Sequence, residues 1–478
     1  MKLTELIKNS HLSVPAHKLE DFIVRGITCN SKAVKKGYLF IAIKGNKFNG
    51  TKFIDEARRL GAGAVISPSA GKGTNFIRIK DTRKAASKIA AEFYGSPSKK
   101  IKVVGITGTN GKTTITYLLE KVLKVTGKKP AVIGTINYRF NNKIIPSSNT
   151  TPGPLELQRM LADMLRSRVT HCVMEVSSHA LDQDRAEGVK FSSAIFTNLT
   201  QDHLDYHKTL LNYFKSKAKL FKGLEKSAFA VINNDDRYAL RLKKLCPAKV
   251  ITYGISRNSE VMARNIKFGC SSTEFILKAG RRSILIKTKL IGRHNVYNIL
   301  AVIAWALKEG ANLIDIKHAI EGFNLVPGRL EKVISGKGFS IFVDYAHTED
   351  ALKNIIQSLR QVSEKRIIVV FGCGGDRDKT KRPKMGRVVT ELADYAVITS
   401  DNPRSEDPKK IIRDIERGIR KTNYSVVIGR AEAIKKSLLL AERGDIVLVA
   451  GKGHENYQVL KDRTVHFDDR EAIKACLK

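Results

Sequence analysis

The chain has 478 residues, 42% of them hydrophobic, so it is long enough to form about three globular domains. Lysine and arginine number 85 against 46 aspartate and glutamate residues, a net charge of +39 that attracts polyanions such as nucleotides or nucleic acids. No apolar run reaches the roughly 18 residues of a membrane span, and the charged N-terminal segment is unlike a signal peptide. Six scattered cysteines without a CxxC pair argue against a zinc site or a disulfide framework. We therefore expect a cytoplasmic monomer that has no membrane partner.

The first 98 residues predict a small α/β domain. Short apolar runs such as YLFIAI and AVISP alternate with polar turns. The segment ends in the Gly/Pro/Ser cluster at 95–98, followed by two lysines, which is typical of a linker. We place the first domain at 1–98.

Residues 99–324 predict a central nucleotide-binding domain. The run IKVVGIT has the composition of a strand, a glycine-rich loop follows, and TITYLLEKVLKVTG has apolar residues at helical spacing. Further strand-like runs alternate with helical patterns, which favours a mostly parallel sheet. These runs are AVIGT, CVMEVS, SAIFTNL and FAVIN.

Residues 325–478 alternate regularly between strand and helix patterns, which predicts a C-terminal, doubly wound, Rossmann-like domain. In such a sheet, ligands bind beyond the carboxyl ends of the strands. Polar clusters follow the predicted strands at 344–347, 372–377, 401–404 and 451–455. We expect these clusters to meet at one edge of the sheet.

The loop at 105–114 predicts a phosphate site, because backbone N–H groups and a helix N-terminus can cradle phosphate groups there. Lys112 would reach the β- and γ-phosphates, and the Thr113 hydroxyl would hold Mg²⁺. The loop departs from the standard pattern, since Ile106 occupies the first glycine position and Gly105 and Gly108 flank it. The alternative is an ordinary glycine turn before a helix.

Two acidic segments follow other strands of the central domain. Glu175 ends the strand CVMEV, where a carboxylate beside a phosphate loop can serve Mg²⁺ directly or through water. The segment at 197–207 carries Asp and His side chains that fit either a metal site or an ordinary polar loop. Both interpretations stay open for Asp202, His203, Asp205 and His207.

A series of motifs in this order resembles the Mur ligase family, over nearly the whole chain and in the family's three-domain order. The loop TGTNGKTT is similar to the family's phosphate loop, including its departure from the standard pattern. The other matching motifs are NTTP (149–152), MEVSSHAL (174–181), TNLTQDHLDYH (197–207), GRHNVYN (292–298), VDYAHT (343–348), GCGGDRDKTKRP (372–383), DNPRSEDP (401–408) and GKGHE (451–455).

The resemblance implies an ATP-dependent ligase of peptidoglycan synthesis. ATP would phosphorylate the γ-carboxylate of D-glutamate in a UDP-linked muramoyl dipeptide, and the amine of meso-diaminopimelate would displace the phosphate. A carboxylate is a poor acyl donor at neutral pH, so phosphorylation supplies the leaving group. Charge neutralisation and in-line positioning are what phosphoryl transfer requires.

The resemblance also implies the residues of the ATP and metal sites. Thr113 and Glu175 would hold one Mg²⁺, and His203 with a carbamylated Lys217 would form a second metal site; Lys112 completes the catalytic set. Lys215 and Lys219 are close rivals for the modified lysine. His347 would line the third domain's contribution to ATP binding. The ATP contacts would be Gly108, Thr109, Asn110, Gly111, Lys112, Thr113, Thr114, Asn298, Arg329 and Asp344.

The implied substrate contacts fall into three groups. Uridine would meet Cys29, Ser31, Asn46, Lys47 and Phe48, although the family's usual Asp-Ser-Arg is Asn30-Ser31-Lys32 in this chain. The muramoyl dipeptide would meet Asn149, Thr150, Thr151, Ser177, Gln183 and Arg185. Diaminopimelate would meet Arg377, Asp401, Asn402, Pro403, Arg404, Gly451 and Glu455.

Arg404 is the expected selector of the amino acid. A substrate with a second carboxylate needs a bidentate cation, and Glu455 can pair with an ammonium group. The alternative for Arg404 is a surface ion pair with Glu406 or Asp407.

Three other functions compete with this hypothesis. The same ligation with L-lysine is the nearest one. A folylpolyglutamate synthetase shares the chemistry but should lack the first domain and the DNPR segment. A basic nucleic-acid-binding protein on a ligase fold fits the net charge, but the intact GKTT, Glu175, His203 and Lys217 disfavour it. We expect no sequence-specific nucleic-acid partner.

Overall fold

The computed structural model of the chain describes residues 1–12, 14, 19–45, 49–71, 75–269 and 271–477. Asn46, Lys47 and Phe48, predicted to contact uridine, lie outside these residues. Three sheets follow one another along the chain, each with its own helices. Within the described ranges, no helix combines the length and the apolar character that crossing a membrane requires.

The first sheet has four parallel strands in sequence order. Leu6, Ile66 and Ile89 belong to a core that packs its helices against one face of the sheet. The strands are β1 (Gly26–Thr28), β2 (Tyr38–Ile41), β3 (Ala62–Ser67) and β4 (Phe76–Arg78), and the helices are α1 (Leu3–Asn9), α2 (Ile54–Arg59) and α3 (Thr82–Phe93).

The second sheet has eleven strands among the described residues, and its centre is parallel. Its strands are β5 (Lys102–Thr107), β6 (Pro130–Ile133), β7 (Asn137–Phe140), β8 (Lys143–Pro146), β9 (His171–Glu175), β10 (Ser193–Phe196), β11 (Phe229–Asn233), β12 (Lys249–Gly254), β13 (Val261–Phe268), β14 (Thr273–Ala279) and β15 (Arg282–Thr288). Its helices are α4 (Lys112–Val125), α5 (Pro154–Arg166), α6 (Ser178–Asp182), α7 (Leu204–His207), α8 (Leu210–Lys222), α9 (Ala239–Leu245), α10 (Arg293–Lys308) and α11 (Leu313–Glu321).

The strand order of this sheet is β15-β14-β13-β12-β11-β10-β5-β9-β6-β7-β8. Helices α4, α10 and α11 share one core and α5 and α8 share the other, so both faces of the sheet are covered. Strand β5 pairs in parallel with β9 and β10, and the three strands therefore end at one edge. The glycine-rich loop, Glu175 and the segment after Phe196 meet there.

The third sheet is parallel except for its first strand and has the order β16-β17-β21-β18-β19-β20. Its strands are β16 (Glu331–Val333), β17 (Ser340–Asp344), β18 (Ile367–Phe371), β19 (Tyr395–Ile398), β20 (Tyr424–Val426) and β21 (Ile446–Ala450), and a separate hairpin joins β22 (Tyr457–Val459) to β23 (Thr464–His466). Its helices are α12 (Glu349–Arg360), α13 (Lys381–Leu392), α14 (Pro408–Glu416), α15 (Arg430–Leu439) and α16 (Asp469–Leu477).

The predicted three-domain α/β class is confirmed. The antiparallel pieces are additions that the sequence analysis did not predict: the β7–β8 hairpin and the β13–β15 meander at the two ends of the second sheet, and the β22–β23 hairpin.

A buried ion pair joins α15 to α16 in the third sheet's layer. Arg430 Nε lies 2.7 Å from Asp469 Oδ1, and Arg430 Nη2 donates to Asp469 Oδ2 at 2.8 Å. Neither side chain is exposed to solvent. Arg430 Nη2 also donates to the carbonyl of Ala450 at the end of β21, at 2.9 Å. The pair therefore fixes the strand end that precedes the segment at 451–455.

Removing one partner of this pair should leave an uncompensated buried charge. We expect Asp469→Ala to lower the free energy of unfolding of this part of the chain by about 3–5 kcal/mol. Glu471→Ala, on the same helix, is the control, because Glu471 pairs with His466 at the exposed surface; its effect should stay below about 1 kcal/mol. Urea titration with hydrogen exchange at β17, β18 and β21 measures both. Equal losses in the two variants would contradict the assigned role.

Candidate active site

Two adjoining cavities open between the strand ends of the second and third sheets. The first has a volume of about 520 Å³ and the second about 360 Å³. Among the predicted residues, the first is lined by Thr109, Asn110, Gly111, Lys112, Thr113, Asn149, Thr150, Glu175, Ser177, Arg185, His203, Lys217, Arg329, Arg377, Asp401, Asn402, Arg404, Gly451 and Glu455. The second is lined by Asn110, Gly111, Thr113, Thr114, Asn298, Arg329 and Asp344. His347 lines both.

A few predicted residues line neither cavity. Thr151 donates to the carbonyl of Glu175 at 2.9 Å, and Gln183 accepts from Arg185 Nε at 3.0 Å, so both support residues that do line the first cavity. The remaining ones are Gly108 and Pro403, which belong to lining loops, and Cys29 and Ser31, which lie beyond β1 in the first sheet's layer.

The glycine-rich loop depends on two glycines in left-handed backbone conformations, Gly108 (φ +150°) and Gly111 (φ +90°). A Cβ atom on Gly108 would overlap Thr197 Oγ1, and one on Gly111 would overlap Asn298 Oδ1. Thr197 in turn donates to the carbonyl of Asn110 at 2.6 Å. Close packing against β10 and α10 therefore sets the loop's path.

Lys112 begins α4 with its ammonium group at the mouth of the loop. Its Nζ donates to the carbonyls of Gly108 at 2.9 Å and Thr109 at 2.8 Å. Burial lowers the pKa of Lys112, while the carboxylate of Glu175 opposes that shift. A phosphate group bound in the loop would meet this cation directly.

The pair of Thr113 and Glu175 offers oxygen ligands of the kind Mg²⁺ prefers. Thr113 Oγ1 donates to Glu175 Oε2 at 3.2 Å, and the Glu175 side chain is buried. Thr135 donates to the same carboxylate through its backbone N–H at 3.0 Å and its hydroxyl at 2.9 Å. In the described part of the chain, no three His, Cys, Asp or Glu residues form a metal cluster. These two ligands therefore fit an ion that completes its shell with phosphate oxygens and water.

Thr135 was missed in the sequence analysis. It follows the strand AVIGT, which the structure places next to β9. Its position at the same sheet edge as Glu175 is the signal that identifies it.

His203 lies in a group of charges shared by two sheets. Its Nε2 is 3.3 Å from Asp202 Oδ2, and the same carboxylate lies 3.9 Å from His347 Nε2 and from Lys381 Nζ. Burial lowers the pKa of His203 to about 3, so the ring is a neutral, potential ligand. Burial raises the pKa of Asp202, but the groups facing it hold that pKa below its ordinary value. Asp202 thus connects the second sheet to the third.

The open choice for the 197–207 segment is resolved residue by residue. His203 and Asp205 line the first cavity. His207 is instead buried, with Nε2 2.9 Å from Ser178 Oγ and Nδ1 3.4 Å from Ser216 Oγ. It is a packed side chain of the α8 layer.

Lys217 differs from its two rivals in burial. Its side chain is fully buried and its Nζ donates to the carbonyl of Gly108 at 2.7 Å. Burial lowers its pKa well below the ordinary value, and the ammonium of Lys112 adds to that shift. Lys215 and Lys219 are exposed on the other face of α8, where Lys219 pairs with Asp184.

The third sheet contributes a polar pocket. Asn402 Nδ2 donates to Glu455 Oε2 at 2.9 Å, and burial raises the pKa of Glu455. Arg404 adopts a left-handed conformation (φ +52°), and its Nη1 donates to the carbonyl of Gly375 at 2.8 Å.

The predicted alternative for Arg404, a surface ion pair, does not describe its neighbours. Glu406 pairs with Arg382 at 2.8 Å, and Asp407 caps α14 by accepting from the backbone N–H of Lys409 at 2.9 Å. Arg404 faces the cavity.

The second cavity lies beside α10. Asn298 Nδ2 donates to Asn295 Oδ1 at 3.1 Å, and Asp344 accepts from the backbone N–H groups of Leu330 at 2.6 Å and Ala346 at 2.7 Å. Burial raises the pKa of Asp344 to about 6.

Asp350, at the start of α12, was also missed in the sequence analysis. It accepts from Asn110 Nδ2 at 2.9 Å and so ties the third sheet to the glycine-rich loop. A carboxylate in the first turn of a helix is ordinarily read as a partner of the helix dipole, so the sequence offered no signal for this contact.

Three sequence profiles match the chain. They are described as "Mur ligase family, catalytic domain" at residues 23–94, "Mur ligase middle domain" at 106–306, and "Mur ligase, glutamate ligase domain" at 328–453.

Full-length relatives share much of the sequence. The UDP-N-acetylmuramoyl-L-alanyl-D-glutamate–2,6-diaminopimelate ligase of Clostridium botulinum is 45% identical, with 100% of both chains covered. The enzyme of that name from Aquifex aeolicus is 46% identical over 95% of this chain and 94% of its own.

Solved structures agree with the fold. One structure of a UDP-N-acetylmuramoyl-L-alanyl-D-glutamate–2,6-diaminopimelate ligase superposes with a TM-score of 0.69 at 33% identity, covering 95% of this chain and 94% of the other. Folylpolyglutamate synthase of Mycobacterium tuberculosis shares the fold alone, with a TM-score of 0.65 at 18% identity over 77% of this chain and 92% of the other.

The glycine-rich loop gives a test of its own. We expect Gly108→Ala to weaken ATP binding about tenfold or more, because the residue would be strained by about 1–3 kcal/mol and would displace Thr197 from Asn110. Gly223→Ala is the control: its φ is −83° and a Cβ there meets the nearest atom at an ordinary 3.4 Å. Titration calorimetry with ATP measures both. Unchanged affinity in the Gly108 variant would show that the loop does not bind ATP.

Proposed function

Because the chain belongs to the Mur ligase family, we propose that it is an ATP-dependent ligase that joins meso-diaminopimelate to UDP-N-acetylmuramoyl-L-alanyl-D-glutamate. The new amide forms at the γ-carboxylate of D-glutamate, and the product serves peptidoglycan synthesis. The observation that carries the proposal is the shared first cavity, in which Lys112 and Glu175 face Asn402, Arg404 and Glu455. Such a cavity brings a phosphate-activating group and an amine-binding group to one space. Relatives about 45% identical over the whole chain are enzymes of this name.

The reaction has two steps. A carboxylate oxygen of the dipeptide attacks the γ-phosphorus of ATP, and ADP leaves as the acyl phosphate forms. The amine of diaminopimelate then attacks the acyl carbon, loses a proton, and expels inorganic phosphate.

The described side chains suit the charges that these steps create. Lys112 and Arg329 would neutralise phosphate oxygens, and Arg329 Nη2 already donates to Thr113 Oγ1 at 3.2 Å. Thr113 and Glu175 would hold Mg²⁺, which supplies further neutralisation of the transferring group. The ATP base and ribose are assigned to the second cavity, beside Asn298 and Asp344.

The assignment of the remaining substrate residues is also proposed. Asn149, Thr150, Ser177 and Arg185 line the first cavity on the second sheet's side, where the dipeptide would lie. Uridine is assigned to the first sheet's layer through Cys29 and Ser31.

A carbamate on Lys217 is proposed as a ligand of a second metal ion, together with His203. The bare ammonium is a cation and would repel a metal ion, whereas a carbamate supplies anionic oxygens. The position of Lys217 supports the proposal, because its amine is buried at the cavity wall next to the glycine-rich loop.

Three wider features stay predictions. We propose domain boundaries of 1–98, 99–324 and 325–478, since the strands of each sheet fall inside one range. A cytoplasmic location fits the use of ATP, and we propose a monomer. Binding to DNA, where it occurs, should be non-specific and fall steeply with salt.

A phosphate-release assay with ATP, the UDP-muramoyl dipeptide and a panel of amino acids tests the function. We expect meso-diaminopimelate to exceed L-lysine in kcat/KM by roughly ten- to a hundredfold, because Arg404 gains a charge-assisted contact of about 1.5–3 kcal/mol with the second carboxylate. Arg404→Ala should remove most of this preference, whereas Arg413→Ala on the exposed side of α14 should retain it. A wild type that uses L-lysine equally well, or releases no phosphate, would refute the respective assignment.

The carbamate has a separate test. With ¹³C-labelled CO₂, the wild type should show a carbamate carbon resonance that is lost in Lys217→Ala and kept in Lys215→Ala. Lys217→Ala should lose nearly all ligation, because the second metal would lose an anionic ligand, and short carboxylates such as formate should restore part of it. Full activity in Lys217→Ala, or a resonance that depends on Lys215 or Lys219, would show that another residue has the role.

A further inference from the structure

Lys452 is a fully buried lysine that the proposed reaction does not use. It lies in the loop after β21, between Gly451 and Gly453, and its side chain has no exposed surface. Burying an ammonium group costs several kcal/mol unless partners compensate the charge. The partners of Lys452 therefore indicate what the residue does.

Two oxygen atoms of the amino-acid pocket accept hydrogen bonds from Lys452. Its Nζ lies 3.2 Å from Asn402 Oδ1 and 3.2 Å from Glu455 Oε2. The ring of Tyr457 lies 5.6 Å from the ammonium group, within the range of a cation–π contact. Asn402, Glu455 and Tyr457 all line the first cavity, while Lys452 lies behind them.

These contacts determine the orientation of the Asn402 amide. Its Oδ1 accepts from both Lys452 Nζ and the backbone N–H of Val459, the latter at 2.9 Å. Its Nδ2 group must then point the other way, and it donates to Glu455 Oε2 at 2.9 Å. An amide that lost the lysine would keep only one donor on its oxygen and could rotate.

The same contacts divide the two oxygens of Glu455. Oε2 is occupied by Lys452 and Asn402, whereas Oε1 has only a long contact, 3.5 Å, from the Tyr345 hydroxyl. Oε1 is thus the oxygen with capacity for a substrate ammonium group. The charge of Lys452 also favours the ionised form of Glu455 and of the neighbouring Asp401, although burial raises the pKa of both carboxyl groups.

We infer that Lys452 is a positioning residue for the amino-acid substrate, which holds Asn402 and Glu455 so that Glu455 Oε1 receives an ammonium group. The inference rests on the proposed function, because it concerns how that ligase binds its amine. Lys452 acts through Glu455 and does not touch the substrate itself.

The experiment measures KM for each of the three substrates in Lys452→Met. We expect KM for meso-diaminopimelate to rise about tenfold or more, as loss of a charged hydrogen-bond partner implies. KM for ATP and for the UDP-muramoyl dipeptide should stay within about twofold, since such distant and unshared sites behave additively. Lys461→Met is the matched control, an exposed lysine in the following hairpin turn, and should leave all three values unchanged.

A double-mutant cycle with Glu455→Gln separates positioning from general support of the fold. In the Glu455→Gln background, the further change Lys452→Met should raise KM for meso-diaminopimelate by less than about threefold, because the group through which the lysine acts is already altered. Lys452→Gln, which keeps a hydrogen-bond donor but loses the charge, should have an effect between those of wild type and Lys452→Met.

The outcomes are distinct. A wild type that does not use meso-diaminopimelate would refute the proposed function and this inference with it. A wild type that does use it, with Lys452→Met unchanged, would refute the inference alone. Equal losses for all three substrates in both lysine variants, or full additivity in the cycle, would assign Lys452 to structural support and would also overturn the inference.

Discussion

The site depends first on a steric constraint in the glycine-rich loop. Gly108 and Gly111 occupy positions where Thr197 and Asn298 leave no room for a Cβ atom. The loop can therefore pass close under both neighbours, and α4 begins with Lys112 and Thr113 directed into the cavity. Because Thr197, Glu175 and the loop all follow adjacent parallel strands, this one constraint aligns the phosphate and metal residues with each other.

Charge is the second organising element, and it is local. The buried cations Lys112 and Lys217 face carbonyls of the glycine-rich loop, and Lys381 approaches Asp202 at 3.9 Å. Few fixed anions stand among them, so the cavity is suited to polyanionic ligands whose charge replaces that of water. The net charge of +39 adds a long-range attraction that salt screens, but the arrangement of these few cations is what a bound phosphate would meet.

The rule that ligands bind at strand ends predicted Glu175 and the clusters of the third domain, because β propensity and helical spacing are local signals. The burial of Lys217 follows from the face it shares with Phe214 and Phe221, which the sequence also contains. The β13–β15 meander was not predicted, since its apolar residues alternate in a way that fits several strand partners. The contacts of Asp350 with Asn110 and of Lys452 with Asn402 join residues far apart in the chain, and no local pattern encodes them.

Selectivity in this pocket follows from what is left unpaired. Arg404 is held by the carbonyl of Gly375, and Glu455 by Lys452 and Asn402, before any substrate arrives. An amino acid with a second carboxylate satisfies the half-buried guanidinium, whereas L-lysine leaves it facing a cavity that has lost part of its water. Discrimination therefore comes chiefly from the cost of an unsatisfied cation with the wrong substrate, and less from added attraction to the right one. A pocket whose polar groups are fixed in advance imposes that cost fully, because its side chains cannot turn away to find other partners.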